Sequence, residues 1–266
     1  MKKKFDGYVI YSDLDGTLLN NNKEVSDENK QFINYFIENG GKFSIATGRA
    51  FEATEKYING VNIDIPAIVY NGGVIYDCVK RKPVKEKCLE REKMNIVHKI
   101  NTDYENLGIE IYCGTDIYIF KDNKTAERPA TKLLNIVYDY KENLFDLKWN
   151  KILLVGEVER MDSIQHDLKA NYGIYAVRSG DRFLEILPDE TSKGHALSEV
   201  INIFGLDKSK VIAVGDDMND AEMLKFCNVG IAMGNAKEGL KKIADEITDT
   251  HDEGGIYRSF IKHGLI

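Results

Sequence analysis

Asp13 and Asp15 stand two residues apart in Ser12-Asp13-Leu14-Asp15-Gly16-Thr17, directly after the apolar run Tyr8-Val9-Ile10-Tyr11. In an extended chain both carboxylates project to the same side. Like charges held that close are unfavourable unless neutralised, and Mg²⁺, a hard cation that prefers oxygen ligands, would neutralise them. An Asp-rich turn reversing at Gly16 is the plainer alternative. Thr47-Gly48, followed by Arg49, closes a second apolar stretch. At a helix start such a pair offers a hydroxyl and free N–H groups to an anion; it also serves as an ordinary strand-to-helix connection. Lys193 opens a helical segment, where a cation opposes the helix dipole unless an anion is bound. An exposed lysine is the bland reading. Asp216, Asp217 and Asp220 crowd into Gly215-Asp216-Asp217-Met218-Asn219-Asp220, as a metal site or a solvated turn would.

Each group follows a stretch that reads as a buried strand. Tyr8–Tyr11, Lys42–Ala46, Pro66–Tyr70, Val211–Val214 and the run from Val229 are short and apolar, as strands of a parallel sheet are. Ligands of such sheets bind at the carboxyl ends of the strands. Ser26 caps a helix whose stripe is Phe32, Ile33, Phe36 and Ile37, ending at Gly40-Gly41. Phe51 to Val61 reads as another helix. Asn71-Gly72-Gly73 makes a hairpin before Val74–Asp77, with Asn71 either a turn residue or near substrate. Val79 to Lys93 is a charged linker and helix start. Beyond it come a helix at 94–107, a strand pair (109–112, 117–120), a strand at 151–155, a helix at 161–171 and a second strand pair (175–178, 183–186). Close strand pairs with intervening helices describe an α+β module, with Trp149 in its core or packed between domains. Residues 196–204, 236–243 and 256–263 return to helix.

Four of these segments together resemble the motifs of the haloacid dehalogenase superfamily, in its Cof-type branch. They are Asp13-Leu14-Asp15-Gly16-Thr17, Ala46-Thr47-Gly48-Arg49, Ser192-Lys193-Gly194 and Gly215-Asp216-Asp217-Met218-Asn219-Asp220. Asn71-Gly72-Gly73 and the tail Asp249–Gly255 fit the same branch. The resemblance implies an α/β fold: a doubly wound parallel (Rossmann-like) core from residues 1–81 and 187–266, an inserted α+β cap at 82–186, and a cleft between them. It makes Asp13 a nucleophile that takes a phosphoryl group and Asp15 the general acid and base. A dehalogenase of this superfamily would lack the second Asp. Lys193 neutralises nucleophile and phosphate. Asp13, the Asp15 backbone carbonyl and Asp216 hold Mg²⁺, and Asp220 orients the site or metal-bound water. Leu14 N–H, Thr47, Gly48 N–H and Asn219 grip the phosphate. Arg49 contacts substrate or braces the site. One departure is Glu190, where many Cof-type members have Gly. His195 is read as a helix-face residue, Asp217 as an exposed acid, and His251 has no assigned role.

The expected activity is Mg²⁺-dependent hydrolysis of small phosphomonoesters, sugar phosphates or phosphorylated cofactors, through an aspartyl-phosphate. A phosphosugar mutase and a non-catalytic phosphometabolite sensor are the rivals. The chain has 266 residues, 43% apolar and 30% charged, with net charge −7. An acidic balance argues against a nucleic-acid or anionic-membrane surface. The four cysteines are scattered without a CxxC pair, as reduced cytoplasmic thiols are. The run after Met1-Lys2-Lys3-Lys4 is broken by Asp6 and too short for a signal peptide. A cytoplasmic monomer or weak homodimer with a small phosphorylated metabolite as partner is expected.

Overall fold

The computed structural model describes residues 3–123, 134–139 and 143–262. Met1, Lys2 and His263, the end of the expected last helix, lie outside them. The chain divides into two compact units, Met1–Lys85 with Ser192–Ile266, and Glu86–Thr191.

The first unit opens with β1 (Val9–Ser12), α1 (Asp27–Glu38), β2 (Lys42–Ile45), β3 (Ala67–Val69), β4 (Val74–Asp77) and β5 (Lys82–Glu86). The second contains α2 (Arg91–Met94), α3 (Ile96–Asp103), β6 (Gly108–Cys113), β7 (Asp116–Lys121), β8 (Asn135–Val137), β9 (Lys151–Val155), α4 (Val158–Tyr172), β10 (Ala176–Gly180) and β11 (Phe183–Ile186). The chain returns with α5 (Lys193–Phe204), β12 (Val211–Gly215), α6 (Ala221–Phe226), β13 (Val229–Ala232), α7 (Glu238–Lys241), β14 (Glu246–Ile247) and α8 (Gly255–Lys262).

The first unit is an α/β, Rossmann-like core. Its parallel sheet runs in the order β14-β13-β12-β1-β2. Central β1 and β12 are buried at every position, which is why both read as unbroken apolar runs rather than alternating ones. α1 starts where Ser26 accepts from the Asn29 N–H at 3.2 Å, with Asp27 and Glu28 in its first turn. It buries Phe32, Ile33 and Phe36, and Phe32 meets Phe260 of α8 with ring centroids 4.4 Å apart.

Three segments differ from expectation. Residues 51–61 form successive turns, not a helix. Bonds such as Thr54 N–H to Phe51 carbonyl and Tyr57 N–H to Thr54 carbonyl span three residues, and the Thr54 hydroxyl also bonds back to the Phe51 carbonyl. A side chain competing for backbone acceptors weakens helix. The charged linker carries β5, exposed at every position and bonded to β4 in a three-stranded sheet β3-β4-β5. With no buried face it leaves no alternation to read. β3, read as a buried strand of the parallel sheet, joins that smaller sheet and touches the large one through the bridge Ala46–Ile68.

The second unit is a six-stranded sheet, β10-β11-β9-β6-β7-β8, antiparallel except for the β7–β8 pair. Ile109, Ile111, Ile152, Leu154, Leu184 and Ile186 join helix residues such as Val97, Met161 and Leu168 in one core. Trp149 is part of that core, fully buried, with its indole N–H bonded to the Leu144 carbonyl at 2.9 Å. Lys151 and Glu185, which are outside that core, pair at 2.8 Å. β8 carries no expectation from the sequence. Among the described residues no helix is long and apolar enough to cross a membrane.

Candidate active site

β1 ends at Ser12, so the chain delivers Asp13 to the carboxyl edge of the sheet, where its N–H still bonds to the Val214 carbonyl of neighbouring β12 at 2.9 Å. β12 ends one residue before Asp216. Two adjacent strands ending level bring their acids together. One oxygen each of Asp13, Asp216 and Asp220 lie within 4.8 Å of one another.

Lys193 enters this cluster as the first residue of α5. Ser192 caps that helix by accepting from the His195 N–H at 3.0 Å. The Lys193 ammonium donates to Asp13 Oδ1 and Asp220 Oδ1, each at 2.6 Å, with no side-chain surface exposed. Burial opposes its charge, but the two carboxylates hold its pKa above the ordinary lysine value. Asp220 Oδ2 accepts from the Asp216 and Asp217 N–H groups at 3.0 and 3.2 Å, so both Asp220 oxygens are engaged in shaping the loop and holding the lysine. Thr17 donates to Asp216 Oδ1 at 2.8 Å. Gly16, at φ +79°, is required twice, because a Cβ there would lie 2.4 Å from Asp216 Oδ2.

The electrostatics of the cluster are unbalanced, with three carboxylates facing one ammonium. Burial raises the Asp13 pKa well above the usual carboxylate range; Lys193 opposes this, and Asp220 and Asp216 add to it. Burial and neighbouring Asp220 push Asp216 up to about 6. An all-oxygen set starved of positive charge fits a hard divalent cation.

The second motif lies beside the first. Thr47 is buried, its N–H bonded to the Ile68 carbonyl at 2.8 Å and its Oγ1 accepting from Arg49 N–H at 3.2 Å. A Cβ on Gly48 would sit 2.9 Å from Asn71 Nδ2. Asn71 Oδ1 in turn accepts from Asn219 Nδ2 at 3.0 Å. The hairpin tip between β3 and β4 has positive φ at both Tyr70 and Asn71, pinned by bonds from their N–H groups to the Arg49 and Thr47 carbonyls. Strained backbone of this kind gathers at functional sites. Asn71, undecided from sequence, thus ties the second motif to the fourth. Leu14 is buried, its carbonyl accepting from Leu19 N–H at 2.9 Å.

Asp15 is oriented differently. Its side chain is not in the acidic cluster; both oxygens accept from Arg49, at 2.6 and 2.7 Å, and Lys23 adds a bond of 3.1 Å. Burial would raise its pKa, but the guanidinium and ammonium outweigh that and lower it. Of the undecided roles for Arg49, contact with Asp15 is what the structure contains. His195 is exposed, and Asp217 pairs with Lys237 at 2.7 Å. Asn235, read from the sequence only as part of the turn after the last strand, donates its amide to the Gly16 carbonyl at 2.8 Å while its oxygen accepts from His251 N–H. Its position just past β13, another carboxyl end in the same sheet, was the available signal.

Comparison with known proteins shows the family. The family model of haloacid dehalogenase-like hydrolases matches residues 10–260. A 5-amino-6-(5-phospho-D-ribitylamino)uracil phosphatase of Bacillus subtilis is 28% identical over 273 residues, covering 93% of this chain and 94% of the relative. Among solved structures, a haloacid dehalogenase-like hydrolase from Bacteroides thetaiotaomicron superposes with TM-score 0.81 at 30% identity, covering 96% of this chain and 99% of the other. A phosphatase of the same superfamily and organism gives TM-score 0.83 at 25% identity, covering 97% and 96%. The chain belongs to the haloacid dehalogenase-like hydrolases, as a phosphoric monoester hydrolase of the Cof-type branch.

Proposed function

We propose that this enzyme is a Mg²⁺-dependent phosphatase of small phosphomonoesters, sugar phosphates or phosphorylated cofactors, working through an aspartyl-phosphate on Asp13. The observation that carries the reading is the buried Lys193 ammonium bridging Asp13 and Asp220 at 2.6 Å each. An ammonium so placed lets an anionic nucleophile approach an anionic phosphate.

In the first step an Asp13 oxygen attacks phosphorus, the bond to the ester oxygen breaks, and the departing alkoxide takes a proton from Asp15, which must carry one at this step although Arg49 and Lys23 favour its ionised form. In the second, water attacks phosphorus and gives a proton to Asp15. The bond to Asp13 then breaks, restoring its carboxylate and releasing inorganic phosphate. Lys193 balances charge throughout. Thr47 Oγ1, the Leu14 and Gly48 N–H groups and the Asn219 amide hold the phosphate oxygens, with Asn71 fixing the Asn219 side chain. Asp13, Asp216 and the Asp15 backbone carbonyl would hold Mg²⁺, which when bound supplies positive charge to the phosphate oxygens. Asp220 keeps Lys193 and the 216–217 backbone in place. The inserted unit selects the leaving group.

Phosphate release over a panel of phosphorylated sugars and cofactors tests the reading. 5-Amino-6-(5-phospho-D-ribitylamino)uracil belongs in it, since the curated relatives include phosphatases of that compound. Turnover is expected to stop with EDTA and return with excess Mg²⁺. Asp13→Asn should fall by more than about 10³-fold while keeping the wild-type circular dichroism spectrum. Wild-type turnover by that variant would remove Asp13 as nucleophile.

A further inference from the structure

We infer that Arg49, held against Tyr57, is the residue that positions the Asp15 carboxylate for proton transfer. The inference rests on the phosphatase reading above. Arg49 donates from Nε to Asp15 Oδ2 at 2.6 Å and from Nη2 to Oδ1 at 2.7 Å. This two-pronged grip sets the plane of the carboxyl group as well as its place, which a single bond would not do. The arginine is itself fixed at several points. Its guanidinium carbon lies 4.7 Å from the centre of the Tyr57 ring. Its N–H bonds to Thr47 Oγ1 at 3.2 Å, and its carbonyl accepts from Tyr70 N–H at 3.0 Å. The side chain is only 18% exposed. Lys23, which also reaches Asp15, is 52% exposed and held to that carboxylate by one longer bond of 3.1 Å. The durable constraint on Asp15 is therefore Arg49.

A residue that acts through the acid should matter only as far as the leaving group needs a proton. p-Nitrophenolate departs readily without one. Phenolate, nearly the same size and more basic, gains from protonation. The value of kcat/KM reports events up to the first irreversible step, cleavage of the ester bond, so it isolates the acid's contribution from the later hydrolysis of the intermediate.

The experiment compares kcat/KM for phenyl phosphate and p-nitrophenyl phosphate in wild type, Arg49→Ala and Arg49→Lys. Arg49→Ala is expected to lose about tenfold more on phenyl phosphate than on p-nitrophenyl phosphate. Arg49→Lys keeps the charge without the fork and should show the same selective loss. It also carries the test alone if the alanine variant fails to fold. Equal losses on the two esters, as a phosphate-binding or merely structural role would give, overturn the inference and leave the phosphatase reading intact. Unchanged values on both esters do the same. A wild type that cleaves neither ester overturns both readings.

Discussion

A lysine with no exposed side-chain surface is tolerable only because two carboxylates meet its ammonium. Removing it strands those carboxylates in a buried cluster that already holds Asp216. Breaking a buried ion pair from one side costs about 3–5 kcal/mol. Lys193→Met, similar in length and apolar, should lower the urea midpoint by that equivalent at an unchanged m-value, and abolish phosphate release. Adding Asp220→Asn to it should restore part of the midpoint and none of the activity, because the charge imbalance is relieved but the cation is still missing. No recovery in the double variant would mean that shape, not charge, limits the site. Asp13 and Asp216 stood out in the sequence because acids stand directly after apolar runs, and Lys193 because it fits the family's third motif. Which residues meet across the site was not legible. Thr17 meets Asp216 across 199 residues, Asn71 meets Asn219 across 148, and Arg49 meets Asp15 across 34. Hydrogen bonds between distant segments leave no local pattern.

Backbone handedness at two turns governs how the elements carrying these residues meet. Gly72, at φ +99°, lies so close to the start of α5 that a Cβ would fall 2.1 Å from the Ser192 carbonyl oxygen. Gly72→Ala therefore adds left-handed strain, about 1–2 kcal/mol, to an overlap only backbone movement can relieve. The shift would displace the helix start that delivers Lys193. Its thermal midpoint should drop and its kcat should drop with it. Glu190, at φ +52°, is the reverse case, a side chain where glycine would be unstrained. Glu190→Gly should raise stability by roughly 0.5–1 kcal/mol, the relieved strain less the added freedom of the unfolded chain. A destabilised Glu190→Gly would show that this side chain contributes contacts outweighing the strain. Such positions mark what sequence reading captures at this scale. β1, β9 and β12 were readable because buried strands need continuous apolar residues. β5 and the turns at 51–61 were not, since one has no buried face and the other is decided by competition for backbone carbonyls.

At the scale of the molecule, the insert enters and leaves the first unit through two neighbouring stretches of chain. Lys87 Nζ bonds to the Glu190 carbonyl at 2.7 Å, and Lys93 pairs with Asp189. Among the described residues, the insert's own core runs from Leu89 to Ile186 and takes none from outside that range. The parallel sheet of the first unit is likewise complete without it, since β1, β2, β12, β13 and β14 all lie outside residues 86–191. A segment with its own core and adjacent ends can be exchanged for a short linker without opening the host sheet. We therefore expect a chain in which residues 87–190 are replaced by a short Gly/Ser linker to fold cooperatively, as followed by circular dichroism in urea. Asp13, Lys193, Asp216 and Asp220 all remain in it, so Mg²⁺-dependent cleavage of p-nitrophenyl phosphate should persist. If the insert selects the leaving group, the spread of kcat/KM across the metabolite panel should collapse toward a single low value. A shortened chain that folds and keeps the wild-type ranking of substrates would place specificity in the first unit instead, and one that fails to fold would show that the two cores are not independent.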